Sequence, residues 1–422
     1  MKFIILMTFL VTSQVLNGGS AIFIHPDGSG LGHWNAARLL LAGPDGDTHW
    51  DRLETLSAYR VHQKNWLSTT SHAGATVHAY GKKVHHNSFG MDRNQPINAA
   101  SGSRDSIMQE AIAKGLKTAI VNSGHIAEPG TAVFVASSDS RQKSFEIAAK
   151  VMKSGVDVIF AGGEQLLLPK GEIGFFGQEG LRTDGRNLLK EAEAEGYQVI
   201  FTREELLELD SNASKVIGIF AAGHTFNDGP EEKIQRKGLP LYRQDAPSLA
   251  EMTTAALQIL GSDPETEFFA VLEEEGSDNF SNKNNAAGML EAMMRADAAI
   301  GVAVDFLQKQ PQRNTLVLVT ADSDAGHPTI FSPRGFSASD TLPAVGMNGA
   351  PIDGPQASPS PPFLSLPDQY GTRHPFGIAW ATTDDVQGSA VAKASGYMSE
   401  EIGSSLDNTG IYKILHRVLF EE

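Results

Sequence analysis

The stretch that decides the fold reads Phe268-Phe-Ala-Val-Leu272, followed at once by Glu273-Glu274-Glu275-Gly-Ser-Asp278. Five apolar residues bounded by polar ones predict a strand buried on both faces, as in a parallel sheet. Four carboxylates then gather where that strand ends. Because like charges this close raise one another's pKa unless a positive charge lies among them, the stretch predicts a cluster of bound cations.

Two other segments repeat this arrangement. An apolar run from Ala21 reaches Asp27 on a glycine-rich turn, and a run from Thr315 reaches Asp322. In open α/β sheets ligands bind beyond the carboxyl ends of the strands, so three such strands predict one site built from distant parts of the sequence. Acids also serve as ordinary turn residues, but three strands that each end in acids favour a metal site.

The composition is that of a globular protein. The chain has 422 residues, of which 41% are hydrophobic and 20% charged, and this length suits an α/β sheet with insertions. The formal net charge of −16 argues against nucleic acid or an anionic membrane surface as a partner. There are no cysteines, which excludes disulfides, thiolate zinc sites and a cysteine nucleophile.

The N-terminus has the features of a signal peptide. Lys2 precedes an apolar run from Phe3 to Val11, which is too short to span a bilayer, and small polar residues follow. We therefore predict a signal peptide over residues 1–20, export to the periplasm or the exterior, and no stable membrane anchor. A buried N-terminal strand is the alternative.

The remaining chain predicts a single domain over residues 21–422. Strands and helices alternate between residues 145 and 220, which predicts an α/β fold with a mainly parallel central sheet and helices on both faces. Residues 326–375 hold 10 of the chain's 20 prolines among glycines and serines. They predict a long irregular insertion before a last strand at residues 376–380.

The stretch from Ser71 to Gly81 predicts a tightly packed helix. Ser71 suits an N-cap, which is a purely structural role. At the same place, the free N–H groups and the dipole of the helix favour an incoming anion such as phosphate. A serine there, beside cations, is suited to act as a nucleophile.

The pattern Ser-x-Ala-x-Ala-Thr-x-x-Ala-x-Gly, from Ser71 to Gly81, is similar to the nucleophile segment of the alkaline phosphatase family, in which the serine attacks phosphorus. Thr70 and His72 depart from the family pattern. Glu128 and Arg141 stand thirteen positions apart, as do the family's metal ligand and its phosphate-holding arginine. The planar guanidinium of an arginine suits two phosphate oxygens at once.

The acidic stretch aligns with the family's metal-binding pattern as Glu273, Asp278 and Asn282, and Asp322 and Ser323 align with its Asp-His pair. Asn282 and Ser323 replace histidines, and a third histidine expected near Ala381 is absent, since no histidine lies between His374 and His416. The resemblance implies an alkaline phosphatase-like fold and assigns eight metal-binding residues: Asp27, Ser71, Glu128, Glu273, Asp278, Asn282, Asp322 and Ser323.

The missing histidines change the metals expected. Imidazole suits zinc, whereas oxygen donors suit Mg²⁺, Mn²⁺ or Ca²⁺. We expect two or three divalent cations, with Mg²⁺ favoured and Zn²⁺, Mn²⁺ or Ca²⁺ left open. Histidines from nearby loops are alternative ligands, and the loss of one metal position is a further option: the candidates are His25, His72, His125 and His327.

By this resemblance, the chain hydrolyses small phosphate monoesters through a phosphoserine on Ser71, with Arg141 holding the phosphate oxygens. A phosphodiesterase or sulfatase of the same superfamily is an alternative, although the chain lacks both cysteine and a Ser-x-Pro-x-Arg motif. A catalytically silent protein that binds phosphate or cations is another. The sequence leaves a homodimer open.

Overall fold

The computed structural model describes residues 18–210 and 212–421. The predicted signal peptide lies outside the described residues except for its last three positions, and the first strand already begins at Ser20. Export therefore stays a prediction. Within the described ranges, no helix combines the length and the apolar character needed to cross a membrane.

The described residues contain sixteen strands. In chain order they are β1 (Ser20–Pro26), β2 (Thr55–Arg60), β3 (Lys117–His125), β4 (Val158–Gly162), β5 (Gln198–Ile200), β6 (Val216–Ile219), β7 (Phe268–Glu274), β8 (Thr315–Thr320), β9 (Asp324–Ala325), β10 (Pro328–Phe331), β11 (Ile352–Asp353), β12 (Phe363–Leu364), β13 (Pro375–Trp380), β14 (Asp385–Val386), β15 (Val391–Gly396) and β16 (Ser405–Asp407).

Ten of these strands form one sheet, in the order β16-β2-β15-β8-β1-β7-β3-β4-β6-β5. Every neighbouring pair is parallel except the two that β15 makes with β8 and β2. The prediction of a mainly parallel central sheet is confirmed. The three strands that end in acids, β8, β1 and β7, lie side by side, so their carboxyl ends meet at one edge.

Helices cover both faces of this sheet. They are α1 (Leu31–Leu41), α2 (Ser71–Tyr80), α3 (Ile107–Ala113), α4 (Pro129–Ala132), α5 (Ser144–Met152), α6 (Leu188–Ala194), α7 (Arg203–Leu207), α8 (Glu231–Arg236), α9 (Leu249–Leu260), α10 (Gly276–Ser281), α11 (Ala286–Lys309) and α12 (Thr409–Phe420).

The central strands pack into a separate hydrophobic core on each face, because successive strand side chains point in opposite directions. In β1, Ala21 and Phe23 enter one core, with residues of α12, while Ile22 and Ile24 enter the other, with residues of α9 and α11. Strand β7 is buried along its whole length, as its apolar run predicts.

The segment 326–375 is not wholly irregular. Its short strands β10, β11 and β12 each pair with β13, which forms a small second sheet apart from the main one. Residues 376–380 are not the last strand either, because β14, β15 and β16 follow. The sequence analysis missed β15, in which small and polar residues interrupt the apolar pattern that marks a central strand.

Candidate active site

Acids from three neighbouring strands converge beyond the carboxyl edge of the sheet. Asp27 follows β1 and Asp322 follows β8, while Glu275 follows β7 and Asp278 lies in the first turn of α10. The N–H of Asp27 donates to the carbonyl of Glu274 at 3.1 Å, which ties the ends of β1 and β7 together. We call Asp27, Glu275, Asp278 and Asp322 the carboxylate centre.

Asp27 links two groups of donor atoms. Ligand atoms of His25, Asp27 and Asp322 lie within 4.8 Å of one another, and so do those of Asp27, Glu275 and Asp278. All five residues are buried. The convergence expected from the strand pattern is therefore present for Asp27, Asp278 and Asp322.

The carboxylate centre has more acceptor atoms than the protein can satisfy. Within residues 18–210 and 212–421, neither oxygen of Asp27 nor of Asp322 has a hydrogen-bond partner, and Oε2 of Glu275 and Nε2 of His25 also have none. An unpartnered buried polar atom costs about 1–3 kcal/mol, and more if it is charged. Divalent cations would satisfy these atoms, so the residues present fit bound Mg²⁺-like ions.

The pKa values of these acids follow from the same crowding. Burial raises the pKa of Glu275, Asp278 and Asp322 well above the usual range, and the charges of neighbouring acids raise it further. A raised pKa favours the protonated carboxyl, whereas a bound cation favours the carboxylate. Metal binding at the carboxylate centre is thus coupled to proton release.

Glu273, chosen from the sequence, lies behind the carboxylate centre. Its Oε1 lies 3.3 Å from Nδ1 of His25, and Nδ2 of Asn122 donates to its Oε2. Its side chain packs against Gly130, where a Cβ atom would lie 1.7 Å from Oε1. Burial raises the pKa of Glu273 to about 7. Its two oxygens thus have protein contacts, and it positions His25.

Glu275 is the glutamate that the structure places beside Asp27 and Asp278. The intervening Glu274 accepts hydrogen bonds from the hydroxyls of Ser123 and Tyr242, each at 2.6 Å. The alignment without gaps selected Glu273 because it preserved the spacing to Asp278. Strand β7 continues as far as Glu274, so Glu275 is the first residue beyond the strand end.

Asn282 and Asp385 extend the carboxylate centre. Nδ2 of Asn282 donates to both oxygens of Asp278, at 3.0 and 3.1 Å, and to Oδ1 of Asp385 at 3.0 Å. Burial raises the pKa of Asp385. Asp385 comes from β14, within the stretch where the family keeps its third histidine. Asp385 was not predicted from the sequence, because the resemblance pointed only to a histidine in this stretch.

Ser323 and Asp324 follow Asp322 but differ in their contacts. Ser323 is fully buried, and its hydroxyl has no hydrogen-bond partner in the described part of the chain. Oδ2 of Asp324 instead accepts from the hydroxyl of Ser389 at 2.9 Å and lies 2.8 Å from Nδ1 of His327. Asp324 and His327 therefore hold the surrounding loops together, while Ser323 stays available to a ligand.

The predicted nucleophile lies on a helix that packs against the carboxylate centre. Ser71 is buried and is the first residue of α2. The N-cap residue is Thr70, so the purely structural capping role considered for Ser71 belongs to Thr70. One turn further on, Gly74 is so close to Asp322 that a Cβ atom there would lie 2.4 Å from that of the acid. The first turn of α2 thus borders Asp322, the acid that follows β8.

His72, beside Ser71, has an uncharged ring at neutral pH. Burial lowers its pKa to about 3, and the neighbouring charges of Arg141 and His86 add to this effect. A positive His72 would compete with bound cations, whereas the neutral ring does not.

Arg141 and Glu128 form an ion pair at the rim of the site. Oε2 of Glu128 lies 3.5 Å from Nη2 of Arg141, and its Oε1 lies 3.0 Å from Nε2 of His125 and 3.7 Å from Nε2 of His224. Burial opposes ionisation of Glu128, but its contacts with His125, His224 and Arg141 lower its pKa to about 2. Arg141 is 45% exposed and feels the charges of Glu275, Asp278 and Asp27, so it spans the rim and the carboxylate centre.

The sequence offers His25 and His125 as alternative ligands, whereas His224, a lone histidine after a predicted strand, favours a structural role. His25 lies two residues before Asp27 in the sequence. This short spacing is the sequence signal that identifies His25 as a candidate ligand. His125 is the last residue of β3 and His224 follows β6; since these strands are not adjacent in the sheet, only the fold brings the two histidines together on Glu128.

Comparison with known proteins agrees with this architecture. Residues 20–356 match the family model of alkaline phosphatase. The membrane-bound alkaline phosphatase of Bombyx mori is 28% identical over 368 residues, which are 77% of this chain and 64% of that protein. Alkaline phosphatase 3 of Bacillus subtilis (strain 168) is 28% identical over 264 residues, which are 61% of this chain and 49% of that protein. The matched region thus spans between about half and two thirds of these relatives.

Solved structures show the same fold. Alkaline phosphatase from the Antarctic bacterium TAB5 superposes with a TM-score of 0.70 at 20% identity, covering 95% of this chain and 98% of that one. A mutant of the TAB5 enzyme has Mg bound in its M3 site. The family model covers most of the chain, and the superposition covers nearly all of it. Together with the order of its motifs, this makes the chain a member of the alkaline phosphatase family.

Proposed function

We propose that the protein hydrolyses phosphate monoesters with the aid of divalent cations, through a phosphoserine formed on Ser71. The observation that carries this proposal is the meeting of Asp27, Asp278 and Asp322 beside the helix that begins at Ser71, where both oxygens of Asp27 and of Asp322 have no hydrogen-bond partner in the described part of the chain. Membership of the alkaline phosphatase family supports it, as does the anion-binding character of a helix N-terminus.

The chain's own residues divide the work. The Ser71 hydroxyl is the attacking group, and the free N–H groups of the first turn of α2 face the incoming phosphate. Arg141, anchored by Glu128, binds two phosphate oxygens through its planar guanidinium. Glu273 orients His25 from behind, and Asn282 keeps Asp278 and Asp385 together.

Two groups of residues would hold the cations. One comprises His25, Asp27 and Asp322, with the hydroxyls of Ser71 and Ser323 as further donors. The other comprises Asp27, Glu275 and Asp278, with Asn282 and Asp385 beside them. When bound, the ions supply positive charge that stabilises the attacking and leaving oxygens of phosphoryl transfer. Because oxygen donors outnumber imidazole, Mg²⁺ or Mn²⁺ fits these groups better than Zn²⁺.

The test is hydrolysis of a chromogenic phosphomonoester by full-length protein that has been stripped of metal and then supplied with Mg²⁺, Mn²⁺, Ca²⁺ or Zn²⁺ in turn. We expect Mg²⁺ to restore the largest rate. Ser71→Ala should lower kcat by at least about 10³-fold, because the covalent step is lost. Acid quenching followed by peptide mass spectrometry should find phosphate on Ser71.

The matched control is Ser101→Ala, which removes a hydroxyl from an exposed loop. It should hydrolyse the ester like the parent protein. Equal rates for Ser71→Ala and the parent would exclude Ser71 as the nucleophile. A faster rate with a phosphodiester would select the diesterase alternative, and phosphate binding without turnover under every metal would select the silent protein.

A further inference from the structure

We propose that His125, Glu128 and His224 form a separate zinc site, the outer histidine site, beside the carboxylate centre. It goes beyond the proposed hydrolysis, because it concerns a metal position of different donor chemistry. Ligand atoms of the three residues lie within 4.8 Å of one another. Two imidazoles and one carboxylate are a donor set that zinc and similar transition metals prefer.

The spacing of the donor atoms fits a small tetrahedral ion. Both Nε2 atoms approach the same oxygen, Oε1 of Glu128, at 3.0 Å from His125 and 3.7 Å from His224. Ligands about 2.0–2.1 Å from a tetrahedral zinc stand roughly 3.3 Å apart. The observed distances lie on either side of that value, so small side-chain rotations would suffice.

Aromatic stacking fixes the orientation of the two rings. The rings of His125 and His224 lie 4.8 Å apart at an angle of 17°, and Phe226 stacks on the other side of His224, also at 4.8 Å. The two imidazoles are thus held in nearly parallel planes with their Nε2 atoms on the same carboxylate. This arrangement reduces the conformational entropy that zinc binding would cost.

The charges around Glu128 are compatible with a bound zinc ion. Arg141 contacts the other oxygen of Glu128, Oε2, so a cation on Oε1 need not displace it. The carboxylate of Glu128 would therefore lie between the zinc ion and the guanidinium of Arg141.

The site is open to solvent. Side chains of His125 and His224 are 26% and 20% exposed, and a cavity lined by His125, Glu128, Arg141 and Gln142 leads to it. Three protein donors with an open fourth position describe an exchangeable site. A fourth ligand, water or a phosphate oxygen held by Arg141, can reach the ion there.

The experiment measures zinc binding directly on full-length protein without an added histidine tag. Metal-free protein is saturated with Mg²⁺ and titrated with Zn²⁺ against a chromogenic chelator, in parallel for the parent, His125→Gln, His224→Gln and His374→Gln. His374 is a surface histidine paired with Asp368 and serves as the matched control. Thermal unfolding in Mg²⁺ checks that each variant is folded.

We expect the parent to bind one zinc that both His125→Gln and His224→Gln weaken by at least about 100-fold in Kd, while His374→Gln binds like the parent. With Co²⁺ in place of zinc, the parent should show visible d–d absorption that the two variants lose. If the parent takes up no zinc in Mg²⁺, or if all four proteins bind it equally, the outer histidine site does not exist. Neither result depends on phosphatase activity, so failure of the proposed function would leave this test intact.

Discussion

Two acids that follow buried strands of the same sheet have opposite environments. Asp27 follows β1 and has no hydrogen-bond partner for either carboxylate oxygen in the parts of the chain described. Glu164 follows β4 and is equally buried, but its oxygens accept the N–H groups of Phe175, at 2.6 Å, and Phe176, at 3.2 Å. Asp27 is thus free to bind a cation through both oxygens, whereas the protein already satisfies both oxygens of Glu164.

Neutralising an acid of the carboxylate centre should lower the catalytic rate far more than neutralising Glu164, and this is the largest effect we expect. Asp322→Asn removes a negative charge that bound cations need, so kcat/KM for a chromogenic phosphomonoester in Mg²⁺ should fall by at least about 10³-fold. Glu164→Gln should keep at least half of the parent rate. Comparable losses of kcat/KM in both variants would show that the presence or absence of hydrogen-bond donors around these acids has no bearing on activity.

The same variant should make the metal-free protein more stable. With the cations removed by a chelator, Asp322→Asn relieves crowding among buried acids and should raise the free energy of unfolding by about 1–2 kcal/mol. Urea unfolding of the chelated proteins measures this change. A less stable Asp322→Asn would mean that Asp322 already has a stabilising partner.

Mg²⁺ should stabilise the parent and Glu164→Gln, but not a protein lacking acids of the carboxylate centre. An ion at 100 times its Kd adds about 2.7 kcal/mol to the free energy of unfolding. We expect a Tm that rises with Mg²⁺ concentration in the first two proteins and stays flat in the double variant Asp27→Asn/Asp322→Asn. Zinc should be left out of this series, so that the outer histidine site stays unfilled.

Glu164→Gln should lose stability without losing its response to metal. An amide can accept only one of the two backbone hydrogen bonds and turns an NH₂ group toward the other donor, which costs about 1–3 kcal/mol. Urea unfolding at fixed Mg²⁺ gives the value. An unchanged stability would undermine the view that Phe175 and Phe176 satisfy this acid.

A third acid, the buried Glu231, lies near the half-buried Asp353 and extends the comparison to the dependence of stability on pH. Burial and the nearby charge of Asp353 raise the pKa of Glu231 to about 8, from an unfolded value of 4.5. Since the folded state binds the extra proton, stability should be highest at low pH and should fall by on the order of 2 kcal/mol between about pH 4.5 and pH 8. Glu231→Gln should flatten that slope in urea unfolding, and a slope equal to the parent's would argue against a shared proton.

Much of the carboxylate centre was predictable because its signal is local. Asp27 and Asp322 each follow an apolar run, and parallel strands bring such ends together. The choice between Glu273 and Glu275 was not predictable, because it depends on where β7 stops pairing. Asp385 and His224 reach the site only through the tertiary fold, from β14 and from the loop after β6.

The main sheet was predicted where strands are apolar and missed where they are not. Strand β7 shows its burial in its sequence, whereas β15 reads Val391-Ala-Lys-Ala-Ser-Gly396 and carries a buried lysine. Nζ of Lys393 donates to the carbonyls of Trp50 and Asp51, at 2.8 and 2.9 Å. These hydrogen bonds satisfy the ammonium group of Lys393, which the sequence pattern alone predicts to be exposed to solvent.

The close approach of Gly74 to Asp322 has a consequence for how freely this sequence can vary. A single methyl group at position 74 would stand 2.4 Å from Cβ of Asp322 and 2.7 Å from its Oδ2. Since neither backbone can retreat without separating Ser71 from its acids, this helix position has room for a hydrogen atom and nothing larger. Among natural variants of the chain, those that retain Asp322 should therefore also retain glycine there, three residues after the serine.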